Sequence, residues 1–303
     1  MDWLRSQPVV IQALLAGLFT WGCTIVGSAV VFFFKQVSRK LLDIMMGFAA
    51  GVMVAASFWS LLAPSIEYAQ SSYGKLSWLP EAIGFLVGGF FLRLIDAVVP
   101  HLHLSKDISE AESVPEHSRK KLSKTALLFL AITIHNFPEG LAVGVAFGAL
   151  AANPSPEAFV GAIGLALGIG LQNVPEGATL SIPIRTDGKS RLKAFYWGSM
   201  SAIVEPIGAV LGAVAVMAMT AILPYALSFA AGAMIFVVVE ELIPDSQTNG
   251  NTDVATLGLM VGFVLMMVLD VALGEFNWAS DLWCQKFFIL GNHHIKSDIR
   301  FQK

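Results

Sequence analysis

Apolar residues run along this chain in blocks too long for the alternation of a half-buried strand or the narrow stripe of a surface helix. Eight blocks can be marked, at about 9–34, 41–63, 79–99, 123–151, 157–183, 194–219, 222–244 and 254–274. Each has the ~20 residues an α-helix needs to cross ~30 Å of hydrocarbon. Helix is the required form, because within lipid every backbone N–H and C=O must find its partner inside the segment. The pattern therefore predicts an all-α integral membrane protein with eight transmembrane helices. Residues 1–274 would form the membrane domain, with a polar loop at 100–123 between spans 3 and 4, and 275–303 would be a tail. Gly47, Gly51, Gly88 and Gly89 are placed to let helices pack closely. Asn153-Pro154-Ser155-Pro156 reads as a tight capped turn, which makes spans 4 and 5 an antiparallel central pair.

Composition agrees. Hydrophobic residues make up 55% and charged residues 14% of the chain, against roughly 25% charged in a soluble domain. The formal net charge of −3 argues against nucleic acid as a partner and leaves the lipid bilayer as the obvious one. Cys23 and Cys284 build neither a disulfide framework nor a thiolate metal site. The start, to Phe34, is apolar for too long and lacks a small-residue cleavage site, so it reads as a retained first span.

Basic residues orient the spans. Lys35, Arg39 and Lys40, then Lys106, Arg119, Lys120, Lys121 and Lys124, then Arg185, Lys189, Arg191 and Lys193 follow spans 1, 3 and 5. Only Lys75 falls in the loops after spans 2, 4 and 6. The odd loops, including 100–123, are thus expected in the cytosol and both termini outside it. The tail fits this poorly, since Lys286, Lys296, Arg300 and Lys303 would lie on the extracytoplasmic side.

Candidate chemistry sits where the pattern is broken. His135-Asn136-Phe137-Pro138-Glu139-Gly140 interrupts span 4, and Gln172-Asn173-Val174-Pro175-Glu176-Gly177 interrupts span 5. His135 and Glu139, like Gln172 and Glu176, are spaced i, i+4 and share a helix face. Asn136 and Asn173 stand about 100° further round. Pro138 and Pro175 each remove a backbone donor and free a carbonyl one turn back. With the turn midway between the hexads, folding brings the two faces together, and Glu205-Pro206 on span 6 can be aimed at the same centre. Three carboxylates in lipid are costly, and a divalent cation relieves that cost. Carboxylate and amide oxygens with one imidazole suit Zn²⁺, Fe²⁺ or Mn²⁺ better than Cu⁺. Protonated acids bonded to one another as packing groups would account for any single position, but poorly for a duplicated hexad.

These hexads resemble those of the ZIP (Zrt-, Irt-like) family of divalent-metal transporters. Gly47-Phe48-Ala49-Ala50-Gly51 and Ser57-Phe58-Trp59-Ser60-Leu61-Leu62-Ala63-Pro64 on span 2 are similar to its GufA-like branch, and the resemblance covers about 8–274. It implies eight spans with both ends extracytoplasmic, and transport of a divalent metal, Zn²⁺ first, with Fe²⁺, Mn²⁺, Cd²⁺ and Cu²⁺ as other cargoes. It also implies a binuclear centre: His135, Glu139, Gln172 and Glu176 at one metal position, and Asn136, Asn173 and Glu205 at a second, with Glu139 and Glu176 bridging. Many relatives carry an acid where Asn173 stands. The family mechanism it implies is a slide of spans 1, 4, 5 and 6 against 2, 3, 7 and 8. No cofactor beyond the transported metal is expected, a homodimer stays open, and the host membrane is the plasma membrane or the Golgi membrane.

Other polar residues are secondary. Glu240-Glu241 near the inner end of span 7 and Asp270 near the outer end of span 8 would line an exit and a mouth, or simply reach interfacial water. Arg93 and Asp96 read as an ion pair, and Asp43 as a helix-start acid. His101 and His103 could capture metal in the cytosolic loop, but a loop this poor in histidine would hold it weakly, and a plain solvated loop is the simpler reading. The alternative class, an intramembrane metal-dependent hydrolase, lacks His-Glu-x-x-His and any serine in a Gly-x-Ser-x-Gly setting. A channel is disfavoured by dense ligands that bind tightly and release slowly. A non-enzymatic carrier working by alternating access is the expected function.

Overall fold

A computed structural model describes residues 2–34, 37–99 and 123–273. The loop with His101 and His103, and the tail beyond residue 273, lie outside the described residues. Among those described, all regular structure is helical. Eight helices carry the packing: α1 Val9–Ser28, α2 Arg39–Ala56, α3 Trp78–Val98, α4 Lys124–Ala149, α5 Pro156–Thr186, α6 Val204–Ala218, α7 Leu223–Val237 and α8 Thr252–Leu273. Serine starts several of them, because its side-chain oxygen satisfies a first-turn N–H that has no intrahelical partner. Ser38, Ser123 and Ser155, and Ser190 ahead of the short helix Arg191–Met200 that leads to α6, each accept from the N–H three residues on. Ser155 with Pro156 in the first turn of α5 is the expected cap of the α4–α5 turn.

Among the described residues, seven helical stretches are long and apolar enough to cross a membrane: Val9–Phe32, Arg39–Leu76, Lys124–Ala149, Pro156–Thr186, Arg191–Ala218, Thr220–Gln247 and Thr252–Ala272. The remaining expected span is α3, a 21-residue helix that carries Glu81, Arg93 and Asp96 and is not among the seven. Leu86, Phe90 and Leu94 of α3, Ile207 and Leu211 of α6, and Val261 and Val264 of α8 face outward, as lipid-contacting side chains do.

Two helix sets emerge from the packing. In one, α4 lies on α6, α5 lies on α1, and α1 lies on α6; in the other, α2 lies on α8 and α3 on α7. Glycine explains why these pairs approach so closely, since lipid supplies no hydrophobic drive and contact must come from backbone proximity. A methyl group on Gly144 would overlap the Ala209 backbone, and one on Gly51 the Leu259 carbonyl. Between the sets, the close approach at a glycine is to a side chain: Met266 of α8 fills the space over Gly168 of α5. Gly144→Ala should therefore cost about 1–3 kcal/mol by overpacking and lower the unfolding midpoint in detergent. Gly22→Ala, where nothing lies within 4 Å, should leave that midpoint level or raise it.

Two π-helical turns break the second set. Ser57–Leu62 continues α2 and Val238–Leu242 continues α7, each just ahead of a proline. A π-turn inserts a residue and rotates the helix beyond it, so it re-aims side chains. Here the side chains concerned are Ser60 and Glu241.

Candidate metal centre

α4 and α5 run through Pro138 and Pro175 without interruption, and each carries its hexad near mid-length. All seven predicted ligands are buried: His135, Asn136, Glu139, Gln172, Asn173, Glu176 and Glu205 are each at most 8% exposed. The structure draws them into two groups.

The first group joins the two helix sets. Gln172 Nε2 donates to Glu139 Oε1 at 2.7 Å, tying α5 to α4. His135 Nε2 meets Glu241 Oε1 at 2.6 Å, so the π-turn after α7 delivers a fourth carboxylate to the centre. A small cavity opens here, about 20 Å³ measured as space open to the centre of a water-sized sphere, enough for one water or one small ion. His135, Glu139, Gln172, Glu176 and Thr179 line it from one side, and Met45, Met46 and Met53 of α2 with Leu242 from the other.

The second group lies within the first helix set. Asn173 Nδ2 donates to both Glu205 oxygens at 2.9 Å and to the Thr20 carbonyl at 3.2 Å. This network ties α1, α5 and α6 together. Asn136, Asn173 and Glu205 are not part of the cavity lining.

The unpartnered atoms bear on what the centre holds. Among the described residues, His135 Nδ1, Glu139 Oε2, Gln172 Oε1, Asn173 Oδ1 and both amide atoms of Asn136 are buried without a hydrogen-bond partner. Each such group costs about 1–3 kcal/mol, and all but the Asn136 amide nitrogen are, or can be, electron-pair donors to a cation. Among the described residues no three His, Cys, Asp or Glu side chains already converge as a preformed metal cluster. Glu139 and Glu205 are instead engaged with amides and Glu241 with an imidazole.

Other expectations resolve individually. Asp270 is buried and accepts from Ser60 at 2.7 Å, with its other oxygen unpartnered. Glu240 is exposed, as the interfacial alternative requires. Arg93 and Asp96 pair at 3.5 Å. Asp43 is more than a helix-start acid: fully buried, it pairs with Arg39 at 3.1 Å and accepts from Asn249 and Asn251 at 3.2 and 2.8 Å. Sequence reasoning places Glu241 at an exit and misses Met45, Met46 and Met53. The i, i+4, i+8 spacing of Met45, Ala49 and Met53 is the available signal for a cavity-facing stripe on α2.

An all-helical, multi-pass membrane protein with a buried, mixed oxygen and nitrogen donor set between two helix sets belongs to the class that handles ions in lipid. Residues 103–270 match the family model described as ZIP Zinc transporter. The chain is 41% identical to the zinc transporter ZIP11 of Homo sapiens, over 89% of this chain and 100% of that protein. It is 39% identical to the zinc transporter GufA of Myxococcus xanthus, over 86% and 98%. It is 34% identical to the zinc transporter ZIPB of Bordetella bronchiseptica, over 86% and 81%. This chain belongs to the ZIP zinc transporter family. That is a family of transporters, and nothing in it favours the hydrolase alternative.

Proposed function

We propose that this protein is a secondary carrier that moves Zn²⁺ across its membrane into the cytosol, holding the ion between His135, Glu139, Gln172 and Glu176. The observation that carries this reading is the set of unpartnered donor atoms on a cavity shared by the two helix sets. Kinship with proteins named zinc transporters supports the choice of ion. Imidazole and carboxylate are common zinc ligands, and Fe²⁺, Mn²⁺, Cd²⁺ and Cu²⁺ are the ions a similar donor set accepts. Counting α3 as the eighth span puts both ends of the 1–274 membrane domain outside the cytosol, in agreement with the basic loops.

Movement follows from the packing. α1, α4, α5 and α6 are fastened to one another by backbone approach and by the Asn173–Glu205 network. Their contacts with α2, α3, α7 and α8 include side-chain meetings such as Met266 over Gly168 and His135 with Glu241, which can exchange partners. We assign the first set as the carrier that slides and the second as the frame. Asp270 with Ser60 marks the extracytoplasmic approach, and the π-turn with Glu241 the cytosolic departure.

Uptake of radiolabelled zinc into proteoliposomes tests this directly. Flux should saturate with zinc, be competed by Cd²⁺, and be untouched by a large excess of Mg²⁺ or Ca²⁺, which prefer all-oxygen sites. Unitary conductance steps, or flux that never saturates, would reject a carrier.

A further inference from the structure

We infer that the polar centre of this carrier holds one divalent ion at a time, because the side-chain amide of Asn173 stands where a second ion would have to sit. This rests on the proposal that His135, Glu139, Gln172 and Glu176 form the first position.

The geometry is specific. A cation held by both oxygens of Glu205 lies on the line bisecting them, at about 2.0–2.2 Å if it is zinc. Asn173 Nδ2 is 2.9 Å from each oxygen and therefore occupies that same bisecting position. Its orientation is fixed by its surroundings. Glu205 Oε1, Glu205 Oε2 and the Thr20 carbonyl are three acceptors around one amide end, so only the NH₂ end fits there. Turning the amide over would set an oxygen against three oxygens.

Saturation separates the two groups as well. The Glu205 oxygens both have protein donors, whereas Glu139 Oε2, Gln172 Oε1 and His135 Nδ1 have none. The cavity touches the unsatisfied group and leaves Glu205 outside its lining. Asn136 has both amide atoms unpartnered and Asn173 keeps an unpartnered Oδ1, but the nitrogen end of Asn173 fills the place beside Glu205. With Glu205 engaged, a second divalent ion would have only these neutral amide oxygens and a share of the bridging Glu139 and Glu176, and no carboxylate of its own in a low-dielectric interior. Glu205 and Asn173 are then positioning residues that fasten α5 to α1 and α6.

The test is a count of zinc bound per chain, by equilibrium dialysis of the purified full-length protein in detergent. Differences from wild type cancel ions held elsewhere, and each variant is counted only after it elutes as wild type does on size exclusion. His135→Ala should lose one zinc, Glu205→Gln should lose none, and Asn173→Asp should gain one. Glu205→Gln losing one zinc while His135→Ala also loses one overturns the inference and leaves the first position standing. Asn173→Asp gaining none removes the exclusion from Asn173 and overturns it too. His135→Ala losing none rejects the first position, and this inference with it. Should Asn173→Asp not fold, with two acids now side by side, Glu205→Gln decides alone.

Discussion

Zinc uptake falls by at least about 100-fold when His135 is replaced by alanine, at unchanged surface expression. Loss of a residue that merely supports a ligand costs about 10–100-fold in metal affinity, and His135 is proposed here as a ligand. It is the one imidazole among the seven predicted residues, and it also holds Glu241 across the two helix sets at 2.6 Å. Alanine therefore removes a nitrogen donor and deprives a buried carboxylate of this partner. Glu176→Ala should be as severe, since its carboxylate lines the same cavity. Flux retained within about threefold of wild type in both variants would remove the centre from the transport path. If the carboxylates were only helix-packing groups, Glu176→Gln would transport normally, because glutamine keeps the shape and the hydrogen bonding.

Joining the two helix sets by a short thiol cross-link stops transport reversibly. Gly168 of α5 and Met266 of α8 are the place to do it, because a side chain added at Gly168 meets the Met266 side chain directly. In a chain with Cys23→Ser and Cys284→Ser, the pair Gly168→Cys and Met266→Cys should react with a short bifunctional thiol reagent. Uptake should then fall to background, and cleaving the linker should restore it. Either single cysteine, treated in the same way, should retain flux. Full activity in the cross-linked protein would mean that α5 does not move relative to α8, and the assignment of carrier and frame would be wrong.

The chain reveals its centre more readily than its motion. His135 to Gly140 and Gln172 to Gly177 stand out because acids and amides in apolar runs are expensive, and because the set is duplicated. The α4–α5 turn is readable from Pro154, Ser155 and Pro156, since capping and a fixed φ are local properties. The division into two helix sets is beyond local pattern. In the sequence it is accessible only through family resemblance, and the structure grounds it in which glycines meet which backbones. The exit position of Glu241 is legible but its contact with His135 is not, because the π-turn at Val238–Leu242 changes the bearing that a regular helix would give it. Asp43 looks like a helix-start acid because its partners Asn249 and Asn251 lie 206 and 208 positions away. The relation between Asn173 and Glu205 is equally hidden. Both are legible as polar residues in lipid, but only their mutual geometry distinguishes a metal position from a hydrogen-bonded brace.

The most direct measurement is anomalous diffraction at the zinc edge from crystals of the full chain grown with zinc. One anomalous peak should lie within about 2.0–2.3 Å of His135, Glu139, Gln172 and Glu176 donor atoms, with none beside Glu205. Zinc bound by the protein with no peak among those four side chains would contradict the account at its centre.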